Sequence, residues 1–391
     1  MRTNADPFVP GQQVSIEGTA GGSLDGLTFA AKDLFDVAGH PTGGGNPDWA
    51  AANPMPETNA WAVQTLLDAG ANLVGKTITD EVSLGLLGEN AFQGTPLNPR
   101  VPDRVPGGSS SGTASAVAQG VCDLGLGTDT GGSVRVPASF CGLYGIRPTH
   151  GRLPINGMLP QAPSSDTTGW FARDAATFGR VSEVMFGEAQ SAKLPSRLVI
   201  AVDAFGFADA EVQDALKPAV DRLTALIGDS REDLLAPQGL SVWGRAQRTL
   251  QIAEAWETFR PWVERDNPRF AFLVARTLLA GAATPKADLA WAALMRDEAR
   301  ARLSYLLPPD TVLCMPTTPS IAPLKNRPLP ELDRARDRIN CMAAHGGLAG
   351  HPQVSLPLGE VRGAPVGLSV LAARGADMSL VHLAQVLEDS A

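Results

Sequence analysis

The chain has 391 residues, 44% hydrophobic and 19% charged, which suits a globular protein of one large domain or two ordinary ones. Its formal net charge of −9 argues against general affinity for nucleic acid, and no basic amphipathic run points to a membrane surface. No apolar run approaches the ~18 residues of a membrane span, and residues 1–11 lack the charged-then-apolar pattern of a secretory leader, so a cytoplasmic location is expected.

In chain order, residues 57–70 read as a helix, with Val63, Leu66 and Leu67 on one face and Gly70 suited to the C-cap. A short buried strand follows at 71–74. Residues 112–119 are small and helical in pattern, and 122–128 read as another strand. Residues 198–202 are apolar and strand-like, after a loop containing Pro195. Residues 208–300 are rich in Ala, Leu, Arg and Glu and read as several helices, interrupted or started by Pro218, Pro261, Pro268 and Pro285. Trp243, Trp256, Trp262 and Trp291 read as packing residues rather than a substrate cage. The tail returns to strands at 311–315, 353–358 and 366–371. It closes on a helix near 378–387, with Leu380, Val381, Ala384 and Leu387 on one face. Strands alternating with helices predict an α/β fold. Without repeats or a low-complexity linker, one domain over 1–391 is expected, with residues 208–300 as a helical part placed to cover a cleft.

Cys122, Cys141, Cys314 and Cys341 form no CxxC pair, and neither HExxH nor an acidic calcium loop occurs. No metal, no cofactor and no disulfide framework is therefore expected, and Cys122, Cys141 and Cys314 read as reduced core residues.

Residues 106–148 stand apart: PGGSSSGTASAVAQGVCDLGLGTDTGGSVRVPASFCGLYGIRP. Two glycine-flanked serine clusters lie on either side of a helix and a strand. Glycines beside a serine let the backbone approach a ligand and turn successive N–H groups one way. Gly131, Gly132 and Ser133 can thus set a nest of donors beside a hydroxyl, the combination that acyl transfer needs. A single cluster of this kind is most simply a polar turn; two clusters around one strand favour the catalytic reading.

Two other patterns fail on context. Residues 70–77, GANLVGKT, fit the phosphate-loop pattern, but an amphipathic helix precedes them and Leu73 and Val74 read as strand, where a phosphate loop needs a strand before and a helix after. Residues 108–112, GSSSG, fit the nucleophile-elbow pattern, but a loop with Pro106 leads in rather than a strand. No histidine has a supporting motif, and Cys141 has no distinctive context as a nucleophile.

Residues 106–148 resemble the signature block of the amidase-signature family. Further ordered matches are FAAKD at 29–33, GKT with GEN and NP within 75–99, the PT at 316–317, and residues 345–365. GNPDWA, GEN, DRVPGGSSSG and GTDTGGSVRVPAS look most like plant indole-3-acetamide hydrolases and their bacterial relatives. The resemblance implies a single large α/β domain with a central mixed sheet flanked by helices on both faces. Within 1–391 it implies a signature core over about 25–180, a variable helical substrate-cleft part over about 205–305, and C-terminal strands and a helix over 306–391. It implies Ser133 as nucleophile, Ser109 as a bridging serine preceded by a cis peptide, and Lys32 as general base, the two serines being 24 residues apart. Thr130, Gly131, Gly132 and Ser133 are the implied oxyanion hole. Ser110, Ser111, Asp129 and Arg135 are expected as support, the first two bonding the loop and the last two pairing. Lys32 works as a base only when neutral, and burial is what lowers a lysine pKa.

The reaction so implied is hydrolysis of a small carboxamide, an aryl-acetamide by resemblance, to carboxylate and ammonia. Two alternatives stand beside it: the glutaminase subunit of a tRNA-dependent amidotransferase, and a non-catalytic amidase-like binding module. The chain's length counts against the first, and retention of Lys32, Ser109 and Ser133 against the second. The expected partners are a small-molecule amide and a second copy of the chain, since homodimers are common among such enzymes, but no nucleic acid and no membrane. Specificity is expected from residues 155–300 and from loops at 46–49 and 89–92.

Overall fold

The computed structural model describes residues 3–4, 6–189 and 193–389. The first half runs β1 (Thr3–Asn4), β2 (Thr28–Lys32), α1 (Pro47–Ala52), α2 (Trp61–Asp68), β3 (Asn72–Thr77), a 3-10 turn at Glu81–Ser83, β4 (Thr95–Pro96), α3 (Ser111–Ala118), β5 (Leu124–Thr128), α4 (Arg135–Cys141), β6 (Tyr144–Arg147), β7 (Thr168–Ala172) and α5 (Ala175–Phe186). The second half runs β8 (Arg197–Ala201), α6 (Val202–Phe207), α7 (Ala210–Ile227), β9 (Ser230–Asp233), α8 (Leu240–Asp266), α9 (Phe272–Ala282), α10 (Lys286–Leu306), β10 (Thr311–Pro316), α11 (Leu329–Ala349), β11 (Gln353–Val361), β12 (Ala364–Ala372) and α12 (Asp377–Asp389). Ten strands make one sheet in the order β3-β2-β5-β7-β6-β11-β12-β10-β8-β9. The sheet is mixed: β3, β2 and β5 are parallel at one end, β10, β8 and β9 at the other, and antiparallel pairs join them. This is the α/β domain with helices on both faces that the sequence implied. Its sheet takes strands from all three stretches of the chain.

Both faces of the sheet are covered, so the inner strands are buried at nearly every position. Along β2, Phe29 and Ala31 face one core with Val63, Phe178, Leu216 and Leu380, while Ala30 faces the other with Ala114, Val117 and Ala138. In β5 the alternation becomes LGLGT, leucine on the first face and glycine on the second. A Cβ at Gly125 would lie 2.4 Å from Thr113 Cγ2, and one at Gly127 would lie 2.8 Å from Ser110 Oγ. The missing side chains let α3 settle directly on the strand, which places its serine-rich start over the end of β5.

Several boundaries differ from the sequence reading. The helix read at 57–70 is shorter, Trp61–Asp68. The strand read at 71–74 continues to Thr77, so Lys76 lies inside β3, and only a 3-10 turn follows. Pro218 and Pro261 do not break their helices. Both prolines are exposed, as are Asp214 and Glu257 one turn earlier, whose carbonyls lose their helical donors on the solvent side. Pro285 caps α10, as a starter. The sequence pattern predicts no element at β6, β7 and β9 or at α4, α5 and α11. β9, SRED, is an exposed polar edge, and α11 turns from charged residues to small ones along its length, so neither carries a clear apolar period.

Candidate active site

Lys32 is the last residue of β2 and Thr128 the last of β5, adjacent parallel strands that end side by side. Both sites are buried, Lys32 wholly so. Lys32 Nζ donates to Ser109 Oγ at 2.7 Å and to Thr128 Oγ1 at 2.7 Å. The acid that follows it, Asp33, is turned to a different lysine, Lys76. Burial pulls Lys32 down from the usual lysine range to about 7, and the nearby Asp80, Asp129 and Asp166 pull the other way. A lysine so placed exists in both protonation states at neutral pH and sits within reach of a serine proton.

Ser109 stands at the head of α3, and the Gly108–Ser109 peptide is cis. Its carbonyl accepts from the Asp80 N–H at 3.1 Å and from Thr79 Oγ1 at 3.1 Å. Ser110 Oγ takes the Thr128 N–H at 3.3 Å, and Ser111 Oγ donates to the Ile78 carbonyl at 3.4 Å. The Ser110 N–H donates to the Ser133 carbonyl at 3.3 Å, joining the two serine clusters through the main chain.

Asp129 organises the second cluster. Its carboxylate accepts the N–H groups of Gly132, Val134 and Arg135 at 2.9, 3.1 and 3.2 Å. It also pairs with Arg135 at 2.9 Å and with Arg147 at 3.2 Å, all three side chains being essentially sealed from solvent. Burial pushes the Asp129 carboxyl up, but the two guanidiniums outweigh it and hold the group well below the usual carboxylate range. Gly132 adopts φ +125°, a conformation that favours glycine and lets the turn wrap the carboxylate. Next to it, Thr130 Oγ1 donates to Asp166 Oδ1 at 2.6 Å.

Ser133 and Gly131 line a chamber of about 70 Å³, with Ser83, Gly244, Gln247 and Gln251. Through Leu84, Leu86, Arg248, Thr277 and Arg336 it borders a larger cavity of about 440 Å³, within the range of small-molecule sites. That cavity is walled by leucines, Phe272 and Val274, with Arg276, Asp80 and Glu81 among its polar groups. Residues of α8 and α9 contribute to the lining of both cavities. Two specificity expectations change. Of the 46–49 loop, Asn46 bonds Glu81 at 2.6 Å and Trp49 packs edge-on against Trp262 at 4.9 Å, and neither lines these cavities. Part of the wall comes instead from residues 326–340, outside the stretch that was expected.

Asp80 is the residue that sequence reasoning missed. It is buried against Gly108, where a Cβ would fall 2.5 Å from its Oδ2. Oδ2 accepts the Gly88 N–H at 3.2 Å, and Oδ1 has no partner among the described residues. Burial pushes its carboxyl up to about 6, opposed by the Gly88 N–H and by Lys32. The only signal was its place in GKTITDE, a block whose lysine drew attention to the wrong function.

Other candidate nucleophiles and bases are occupied. Cys141 donates to the Pro106 carbonyl at 3.3 Å, and burial pushes its thiol up to about 12. His345 bonds Gln353 and His150 bonds the Pro163 carbonyl. Among the described residues no group of His, Cys, Asp and Glu is arranged to hold a metal ion, and no helix is long and apolar enough to cross a membrane.

A family model described as Amidase matches residues 11–225. Amidase 1 of Oryza sativa subsp. japonica is 37% identical, the match covering 93% of this chain and 90% of that protein. Amidase 1 of Arabidopsis thaliana is 36% identical, with 99% of each covered. A solved structure titled "Crystal structure of amidase" superposes with a TM-score of 0.84 at 33% identity, covering 94% of this chain and 85% of that one.

Proposed function

The chain belongs to the amidase family, and from that premise we propose that it hydrolyses a small carboxamide to carboxylate and ammonia through an acyl-enzyme on Ser133. The observation that carries this reading is the buried Lys32 amine, without a carboxylate partner among the described residues, 2.7 Å from Ser109 Oγ. In the proposed sequence neutral Lys32 takes the Ser109 proton, Ser109 takes the Ser133 proton, and Ser133 Oγ attacks the amide carbon. The Gly132 N–H is committed to Asp129, so the donors left for the oxyanion are those of Thr130, Gly131 and Ser133. The proton on Lys32 returns through Ser109 to the leaving nitrogen, and ammonia departs. Water then attacks the ester, giving one proton to the same relay; Ser133 recovers that proton as the carboxylic acid leaves, and the acid ionises to the carboxylate in solvent.

The predominantly apolar 440 Å³ cavity supports an aryl-acetamide as the substrate class. The reading includes a cytoplasmic location, in keeping with four free cysteines. The test is ammonia release from indole-3-acetamide, benzamide, malonamide and glutamine by wild type and by Ser133→Ala. Activity lost in the variant supports the nucleophile, and the preferred amide identifies the class. Activity on glutamine alone would favour the amidotransferase-subunit alternative. A folded protein silent on all four, and not labelled at Ser133 by a fluorophosphonate, overturns the reading in favour of a binding module.

A further inference from the structure

Resting on that reading, we propose that Gln251 determines the preference for a nitrogen leaving group: its Oε1 accepts a hydrogen bond from the N–H of the scissile carboxamide.

The orientation of Gln251 follows from a chain of obligatory donors and acceptors. Val82 and Ser83 take left-handed φ values of 40° and 57°, costly for a β-branched residue, in a turn that presents the Ser83 carbonyl to Gln161. A carbonyl only accepts, so the atom of Gln161 that lies 2.7 Å from it is Nε2. The other end of Gln161 is then an oxygen, and it accepts from Gln251 Nε2 at 2.7 Å. Gln161 is itself held by its main chain, its N–H on Asp166 at 2.8 Å and its carbonyl accepting from Thr258 Oγ1 at 3.1 Å. With its nitrogen committed, Gln251 must direct Oε1 the other way.

That way leads to the nucleophile. Gln251 lines the chamber with Ser133 and Gly131, and a Cβ on Gly131 would lie 2.8 Å from Gln251 Oε1. Among the described residues no group donates to this oxygen. It is a fixed acceptor, half-buried, beside one of the proposed oxyanion donors. An amide bound with its carbonyl oxygen on those donors brings its nitrogen along the same wall. As the tetrahedral intermediate collapses, the nitrogen gains a proton and positive charge, so this bond strengthens toward the transition state and acts on kcat more than on KM. An ester offers no N–H there, and a site built to accept one discriminates against a ligand that lacks it.

The experiment compares the best primary amide of the panel with the methyl ester of the same acid, for wild type, Ser133→Ala, Gln251→Leu and Gln161→Leu. Gln251→Leu should lower kcat/KM for the amide about ten- to a hundredfold, mostly in kcat, and for the ester less than about threefold. Gln161→Leu, which keeps Gln251 but unfastens it, should give an intermediate loss confined to the amide. Gln251→Ala replaces the leucine variant if that one misfolds. Equal losses on amide and ester, or no loss on the amide, overturn the proposal while leaving the Ser133 assignment intact. Undiminished turnover by Ser133→Ala removes the Ser133 assignment itself, and this inference with it.

Discussion

Lys76 Nζ lies 2.8 Å from Asp33 Oδ1, both wholly buried, and this pair is what leaves Lys32 without an acid of its own. The carboxylate adjacent to Lys32 in sequence is spent on the neighbouring strand, because Lys32 and Thr77 are in register across β2 and β3 and Lys76 is therefore close by. Two buried lysines thus meet opposite surroundings, one ionic and one of hydroxyls.

The first prediction concerns pH. If neutral Lys32 is the base, kcat/KM rises with pH through about 7 and levels above it. Lys32→Arg, always protonated, should lose at least a thousandfold in activity. A profile flat from pH 5 to 9 in wild type contradicts the assignment.

The same burial has a stability consequence of definite sign. The folded pKa of Lys32, about 7, lies below the unfolded one, 10.5. Between those values the unfolded chain holds a proton that the folded chain has released, so stability rises with pH across that window. Lys32→Met should therefore raise the melting temperature at pH 7 while abolishing turnover. The gain is bounded at about 5 kcal/mol, and less because Ser109 and Thr128 lose a partner.

Asp80 favours the charged form of Lys32, so removing its charge should act in a known direction. Asp80→Asn lowers the Lys32 pKa and shifts the acidic limb of the rate profile to lower pH, by up to about one unit. A shift toward higher pH, or none, would show that Asp80 does not act on the base.

Asp129→Ala leaves Arg135 and Arg147 buried without their counter-charge, and we expect a loss of about 3–5 kcal/mol by chemical denaturation. Asp129→Asn keeps the shape and should fold better, yet its amide cannot accept from Gly132 on one side and from Val134 and Arg135 on the other at once, so the turn loosens and turnover falls.

Thr277 lies where the small chamber meets the large cavity. Thr277→Trp should reduce kcat/KM for an aryl-acetamide at least tenfold and spare acetamide within about threefold. Equal effects on the two would place the aromatic group elsewhere.

Legibility from the sequence followed local chemistry. The two serine clusters stand out because glycine beside serine is a distinctive local pattern, whereas Lys32 is singled out only through the match of FAAKD to the family, since a lysine at a strand end is ordinary by itself. Asp80 could not be found, since its importance depends on burial against Gly108 and on a lysine 48 positions earlier. Gln161 and Gln251 were equally silent: a glutamine has no signature until its partners are known. The cavity wall at 326–340 escaped notice because the start of α11 looks like any charged surface helix.

The floor of the cleft is assembled before residue 170 and its walls largely after residue 240. Substitutions in α9 and at the start of α11 can therefore reshape the larger cavity without touching the Asp129 turn or the Lys32 pocket, whereas α8 is tied to that turn through Gln251, so substrate range is freest to drift where the wall lies farthest from Ser133.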